Sequence, residues 1–355
     1  MSQPHQPMPE PGATATSENE TSFEQKEVAG LSQGQIVRRR FLRHRAAMIS
    51  LVVLALVLLL ATTSIGWGPI PGWWRWDPYS VVGDPAGERP TLAFLGVGGH
   101  FFQWGAFPFG ASGQYGNDNF AQVMRGTQQT VVVVLILGIL TVLIGVVLGA
   151  MAGFFLGWVD SVVMRFTDLI ITMPIILITA VVAFQFGTRG VLAVALALGL
   201  LSWTSLARLV RAEFLTLRER EFVDAARVAG ASNFRIMFKH ILPNSIGVIV
   251  VNVTLTMSGG ILAEAALSFL SFGITYPDVS LGSLISQYQG AIETGEPYLF
   301  IWPGIIIVII VLCLNFIGDG LRDAFDPRQK RIPKARDLRK SRQLEALSTA
   351  AGPTS

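Results

Sequence analysis

The chain has 355 residues, of which 51% are hydrophobic and only 14% charged, with a mean hydropathy of +0.51 and a formal net charge of +3. That balance excludes a water-soluble domain and fits a polytopic membrane protein. One cysteine, Cys313 inside an apolar run, excludes an internal disulfide and a cysteine-based zinc site, and the histidines at 5, 44, 100 and 240 are not paired at metal-ligand spacing.

Residues 1–30 are rich in Pro, Gln, Thr, Ser and Glu, with Phe23 as the one aromatic, which is the composition of a disordered tail. From 31 to 45 the pattern predicts a basic amphipathic helix: Ser32 and Gln35 make a capping box, and Ile36, Val37, Phe41 and Leu42 lie among Arg38, Arg39, Arg40, Arg43 and Arg45. Such a segment either lies along an anionic inner leaflet or acts as a plain topogenic charge cluster. Residues 46–65 are an apolar run long enough to cross a hydrocarbon core of about 30 Å at about 1.5 Å per residue. Residues 66–129 form a hydrophilic excursion carrying Trp67, Trp73, Trp74, Trp76 and Trp104 among many Gly and Pro. Those tryptophans fit anchoring at the outer headgroups, the core of a small cap or contact with a docking partner.

The remaining core, 130–328, is expected to hold five more spans, at 130–156, 169–186, 191–207, 245–270 and 302–317. In the first of these, Gly145, Gly149 and Gly153 share one face at GxxxG spacing, so a neighbouring helix can approach closely. The next bends at Pro174. Over this six-span plan 23 Lys and Arg fall on the side of the N-terminus and 4 on the other, which puts both termini and the 221–243 loop in the cytoplasm. Residues 329–355 are then a basic cytoplasmic tail. The last outer loop, 271–301, holds Asp278, Glu293 and Glu296 and no Lys or Arg; it is either solvated or helps to receive a basic protein.

Residues 221–243 read as a water-exposed helical hairpin. Phe222, Ala225, Ala226 and Ala229 recur at i, i+3, i+4 and i+7 and share a face, with Asp224 and Arg227 off it. Gly230 ends the first helix and Ser232 caps the second, in which Phe234, Met237, Phe238 and Ile241 repeat the spacing. Pro243 fits a break before the next span. Within that span Glu264 is the one acidic side chain well inside an apolar run, where a carboxylate costs about 2.5–3.5 kcal/mol and calls for a partner or a wet path. Gly259 and Gly260 fit a break in the helix just before it. Residues 257–268, with Met257, Glu264 and Ser268, are therefore candidates for the wall of a translocation path. The alternative for Glu264 is a structural carboxylate bonded to a neighbouring subunit.

Asp224-Ala225-Ala226, Gly230 and the ending Ile241-Leu242-Pro243 resemble the EAA loop of the membrane subunits of bacterial ABC importers, with Asp224 in place of the usual Glu and His240 where Ile is common. Two further stretches are similar to the C-type subunit of oligopeptide and dipeptide permeases. The first runs from Glu264 through Ala265-Ala266-Leu267-Ser268-Phe269-Leu270 to Gly273. The second is Trp302-Pro303-Gly304 followed by the run from Asn315 to Arg328, and a weaker likeness surrounds Phe107-Pro108-Phe109-Gly110 and Arg125-Gly126. The likeness covers roughly 105–328.

The resemblance implies an all-α permease of type I ABC importer fold with six transmembrane helices, whose cytoplasmic hairpin docks on an ATPase. Glu221, Asp224, Ala225, Ala226, Arg227, Gly230, Ala231 and Ser232 would then lie at the ATPase contact. The implied partners are a second, homologous permease, two ATPase subunits, an extracytoplasmic substrate-binding protein and the lipid of a bacterial inner membrane, with no nucleic acid. The chain itself would carry no cofactor, ATP and Mg residing on the ATPase subunits. No GxxxxGK[ST] phosphate loop, HExxH or GxSxG motif occurs, which gives ATP binding, metalloprotease and hydrolase readings no support. A secondary transporter would want several paired ionisable groups and an inverted repeat. Nickel and glutathione remain alternative cargoes, and the absence of histidine from the spans argues against nickel.

Overall fold

The computed structural model describes residues 33–82, 88–94, 102–112, 115–185, 190–275 and 277–326. The tails expected at 1–30 and 329–355, and the 187–189 connection, lie outside them. The basic segment forms α1 (Gln33–Arg43), and α2 (Arg45–Ser64) follows after a single residue. That residue, His44, caps α2 by accepting from the Ala47 N–H at 3.1 Å, and its other ring nitrogen lies 3.4 Å from Asp323.

Next comes α3 (Asn119–Phe155), which starts eleven residues before the span the sequence suggests. The cause is local: Asp118 is an N-cap whose carboxylate accepts from the Ala121 N–H at 3.0 Å. With 37 residues α3 is about 55 Å long, so it passes well beyond a hydrocarbon core. Its glycine face meets α6 (Val191–Leu217) as expected. A Cβ on Gly149 would lie 2.5 Å from the Ala207 carbonyl, and one on Gly153 2.7 Å from that of Arg211. The two backbones are in contact, and only glycine allows that approach.

The segment expected as the third span is a bent pair of helices. α4 (Gly157–Thr172) and α5 (Ile175–Gln185) meet at an angle of 85°. The bend falls at Pro174 as predicted, because proline forces Met173 into extended backbone (ψ 132°), but the helical path begins twelve residues earlier than 169. α6 likewise runs on past 207, since Arg208 and Arg211 pair with Asp168 and Asp160 of α4 instead of ending the apolar helix.

The hairpin consists of α7 (Glu221–Val228), a single turn α8 (Asn233–Arg235) and a π-turn at Ile236–Ile241, which leads into α9 (Leu242–Phe269). Here the structure corrects two expectations. Pro243 does not break the path: the π-turn, in which the Leu242 N–H reaches the Met237 carbonyl, places proline in the first turn of α9, where its missing N–H costs nothing. Gly259 and Gly260 do not break α9 either. Gly260 is a crossing point, with Leu137 of α3 lying where a Cβ would go.

Beyond α9, the loop carries α10 (Leu281–Gln287), started by a capping box between Ser280 and Ser283. α11 (Tyr298–Phe325), the last helix among the described residues, is tied to α9 by Asn315 donating to the Ser258 hydroxyl at 2.9 Å. Among the described residues five helices are long and apolar enough to span a membrane, and six spans result when the bent α4–α5 pair is one of them.

The loop before α3 folds back as a cap with two short antiparallel pairs, β1 (Gly66–Trp67) with β2 (Ile70–Pro71) and β3 (Ala93–Phe94) with β4 (Phe102–Gln103). Of the readings open for its tryptophans, cap core holds for Trp74 and Trp104, whose rings lie 4.8 and 5.2 Å from that of buried Phe120. Phe109 joins them and stacks on Trp302 of α11 at 4.0 Å. Trp67 and Trp73 remain exposed.

Candidate functional site

The hairpin is held by its geometry at the turn. Gly230 adopts φ +76°, its N–H bonds the Arg227 carbonyl, and the Ala231 N–H reaches back to the Ala226 carbonyl. This double closure is a Schellman ending, for which glycine supplies the left-handed residue. Ser232 then accepts from the Arg235 N–H at 3.4 Å and starts the second arm, as the sequence predicts.

Burial divides the arms differently from the predicted stripe. Val223 and Ala226 of α7 and Ile236, Met237 and Ile241 of the second arm are buried against Val146, Ala150 and Phe154 of α3 and Val210 and Phe214 of α6. Met237, Ile241 and Ala226 thus fulfil the expectation. Phe222, Ala225, Ala229, Phe234 and Phe238 do not; they face outward. Val228 is 91% exposed and Phe234 69%, and the rings of Phe234 and Phe238 are stacked 6.3 Å apart. Two overlapping apolar faces exist in these short helices, and the one carrying Val223 packs on the bundle. Val223, Ile236 and Val228 are the residues that spacing alone did not single out.

The outcome is a patch of large apolar side chains at the tip of the bundle, ringed by charge. Asp224 accepts from Arg227 at 3.0 Å, both exposed, while Glu221 and Ser232 are also at the surface and Ala231 is half-buried. Monomeric soluble surfaces seldom leave such a patch uncovered unless another molecule sits on it. Among the described residues no cluster of His, Cys, Asp or Glu could hold a metal.

The candidate path residues fall elsewhere. Glu264 is 0% exposed and closed within the chain: Thr130 of α3 donates to one carboxylate oxygen at 3.0 Å, and Ser268 to the other at 2.7 Å. The Ser268 hydroxyl in turn accepts from the Ile274 N–H at 3.1 Å. Glu264 therefore fastens α9 to α3 and, through Ser268, to the loop that follows α9. Its partners belong to its own chain, whereas the sequence had suggested a neighbouring subunit or a wet path. Met257 is half-buried, with its sulfur over Gly138 of α3, at the edge of a shallow apolar groove that also includes Leu135, Ile139 and Val253.

With this geometry established, the chain can be set beside known proteins. A family model described as binding-protein-dependent transport system inner membrane component matches residues 145–331, more than half of the chain. A second, the N-terminal TM domain of oligopeptide transport permease C, matches residues 32–79. The oligopeptide transport system permease protein OppC of Mycobacterium tuberculosis is 35% identical over 303 residues, covering 85% of this chain and 97% of that protein. OppC of Haemophilus influenzae is 31% identical over 325 residues, covering 92% and 98%. A solved structure of the MetNI methionine ABC transporter in an inward facing conformation gives a TM-score of 0.48 at 20% identity, over 58% of this chain and 96% of that one, a likeness too slight to carry an argument. The family matches and the two relatives agree along nearly the whole chain: it belongs to the inner-membrane components of binding-protein-dependent transport systems, the permease subunits of ABC importers.

Proposed function

We propose that this chain is one of two permease subunits of an importer that takes up peptides, driven by ATP hydrolysis on separate ATPase subunits. The observation that carries the reading is the uncovered apolar face of the hairpin, Phe222, Val228, Phe234 and Phe238, on a base packed firmly into α3 and α6. A rigid base with an apolar tip transmits a push: closure of the ATPase subunits moves the tip, and the packed arms of Val223, Ile236 and Ile241 carry the movement into α3, α6 and α9. Asp224 and Arg227 lie beside the patch, where they set the register of docking. The Lys and Arg distribution supports a cytoplasmic hairpin and cytoplasmic termini in a bacterial inner membrane. A substrate-binding protein delivers cargo on the opposite, capped side, and a second, homologous permease supplies the other half of the path wall. ATP and Mg reside on the ATPase subunits, and the peptide cargo follows from the OppC relatives.

Co-purification tests this. ATPase subunits are expected to come down with the wild-type chain from detergent-solubilised membranes. The Val228→Ser/Phe234→Ser variant, altered only at exposed positions, is expected to lose them while keeping its thermal transition. Retention of the ATPase subunits by that variant places the docking surface elsewhere.

A further inference from the structure

Glu264 is sealed inside the chain, so the charges that meet a polar cargo must be sought on another face. α4 has two exposed stripes. Trp158, Val162, Phe166 and Leu169 form an apolar one, Trp158 being 77% exposed. Ser161, Arg165, Asp168 and Thr172 form a polar one at i, i+4, i+7 and i+11, all exposed. At about 100° per residue the two stripes are centred about 90° apart, and the remaining face, with Thr167 and Ile170, packs into the chain. The inner half of α6 continues the polar surface with Ser205, Arg208 and Thr216, likewise exposed.

The two helices are joined by two ion pairs of different character. Asp160 and Arg211 form a two-pronged pair, Nη2 to Oδ2 at 2.6 Å, with side chains 18% and 32% exposed. This is a clasp between helices. Asp168 and Arg208 also pair, but their side chains are 60% and 47% exposed. Arg165, one turn away, has no ion-pair partner among the described residues. Three exposed charges stand at the hairpin-side ends of helices that span a membrane, where any contact with hydrocarbon is costly, so each must face water or another polar group. The apolar stripe of α4 suits lipid or the partner permease; the polar stripe does not suit lipid.

We infer that the polar faces of α4 and α6, centred on the Asp168–Arg208 pair, are the aqueous wall of the translocation path on the hairpin side. The 85° bend at Pro174 lies at the deep end of this wall, next to Thr172, where a change in angle opens or closes it. An exposed carboxylate and guanidinium side by side suit a hydrated cargo bearing both an ammonium and a carboxylate group, as a peptide does. The inference rests on the transport reading above.

The test is thiol accessibility in the assembled transporter in proteoliposomes, with Cys313→Ser as background. Thr172→Cys and Ser205→Cys are expected to react with a charged, membrane-impermeant methanethiosulfonate about tenfold faster than Val162→Cys and Leu169→Cys on the apolar stripe. Trapping the ATPase subunits with ATP and vanadate is expected to slow the reaction at the polar positions by a similar factor. Equal rates on both stripes, or polar-stripe rates that do not change on trapping, overturn the inference: the first leaves the polar face against lipid or a partner, and the second makes it a static surface. Either result leaves the co-purification test unaffected, so the two readings fail separately.

Discussion

The two ends of the bundle treat their aromatic residues in opposite ways. At the capped end Trp74, Trp104, Phe109, Phe120 and Trp302 turn inward and pack on one another, and Trp74 donates its indole N–H to Asp118 at 2.6 Å. At the hairpin end Phe234 and Phe238 turn outward and stack only on each other. The cap packs these five rings within one chain, with Trp67 and Trp73 left at its surface, while the hairpin is packed only at its base. The same residue type is therefore packed within the chain at one end and left uncovered at the other, and burial tells the two apart.

The sharpest way to break this contrast is to remove one ring from each end. Phe120→Ala deletes a fully buried side chain and is expected to cost about 3–5 kcal/mol. Phe234→Ala removes an exposed one and is expected to change stability by less than about 0.5 kcal/mol. Thermal unfolding of the detergent-solubilised protein, followed by near-UV circular dichroism, measures both. A similar loss in the two variants would mean that the hairpin rings hold the fold and are not kept for a partner.

A second test uses the acid at the foot of the cap. Burial pushes the Asp118 carboxyl up to about 6, against the lowering effect of its bonds from Trp74 and the Ala121 N–H. A carboxyl whose folded value lies above its unfolded one stabilises most when protonated, so this contribution is full below about 4 and is lost as the pH rises through about 6. The cap is expected to be tighter at pH 5 than at pH 8, by at most about 1.4 kcal/mol, the worth of the one pH unit between 5 and the folded value. Trp fluorescence of the cap should titrate with a midpoint near that value. Asp118→Asn, which keeps an acceptor for Trp74, should flatten the profile, and a profile unchanged in that variant removes Asp118 as its source.

How much of this was legible in the residues depends on the range of the interaction. The glycine face of α3, the Gly230 turn and the Ser232 cap were readable because each is set by neighbours within a few positions. The inward face of α7 was not: Ala226 belongs to two overlapping stripes, and only the bundle beneath decides between Phe222 and Val223. Glu264 showed as a carboxylate in an apolar span, but its partner Thr130 lies 134 positions away. Asp168 and Arg208, 40 positions apart, are unremarkable charges until the fold sets them side by side on an exposed face. The lengths of α3 and α6 were underestimated for a related reason, since a cap or a paired charge lets a helix run on where composition alone suggests an end.

The smallest effect on stability is expected at the hairpin's own ion pair. Asp224 and Arg227 lie three residues apart with side chains 64% and 45% exposed, a geometry in which water screens the attraction and the pair contributes less than about 0.5 kcal/mol. Asp224→Lys replaces the pair with like charges and should shift unfolding by no more than a similar amount. If the pair is kept for docking, the same change should alter coupling far more than stability. In proteoliposomes containing the assembled transporter, ATP hydrolysis should continue while peptide uptake per ATP falls by about tenfold, the factor that corresponds to about 1.4 kcal/mol of lost interaction. Uptake per ATP at the wild-type level would show that Asp224 faces only solvent, and the contact would then rest on Val228, Phe234 and Phe238 alone.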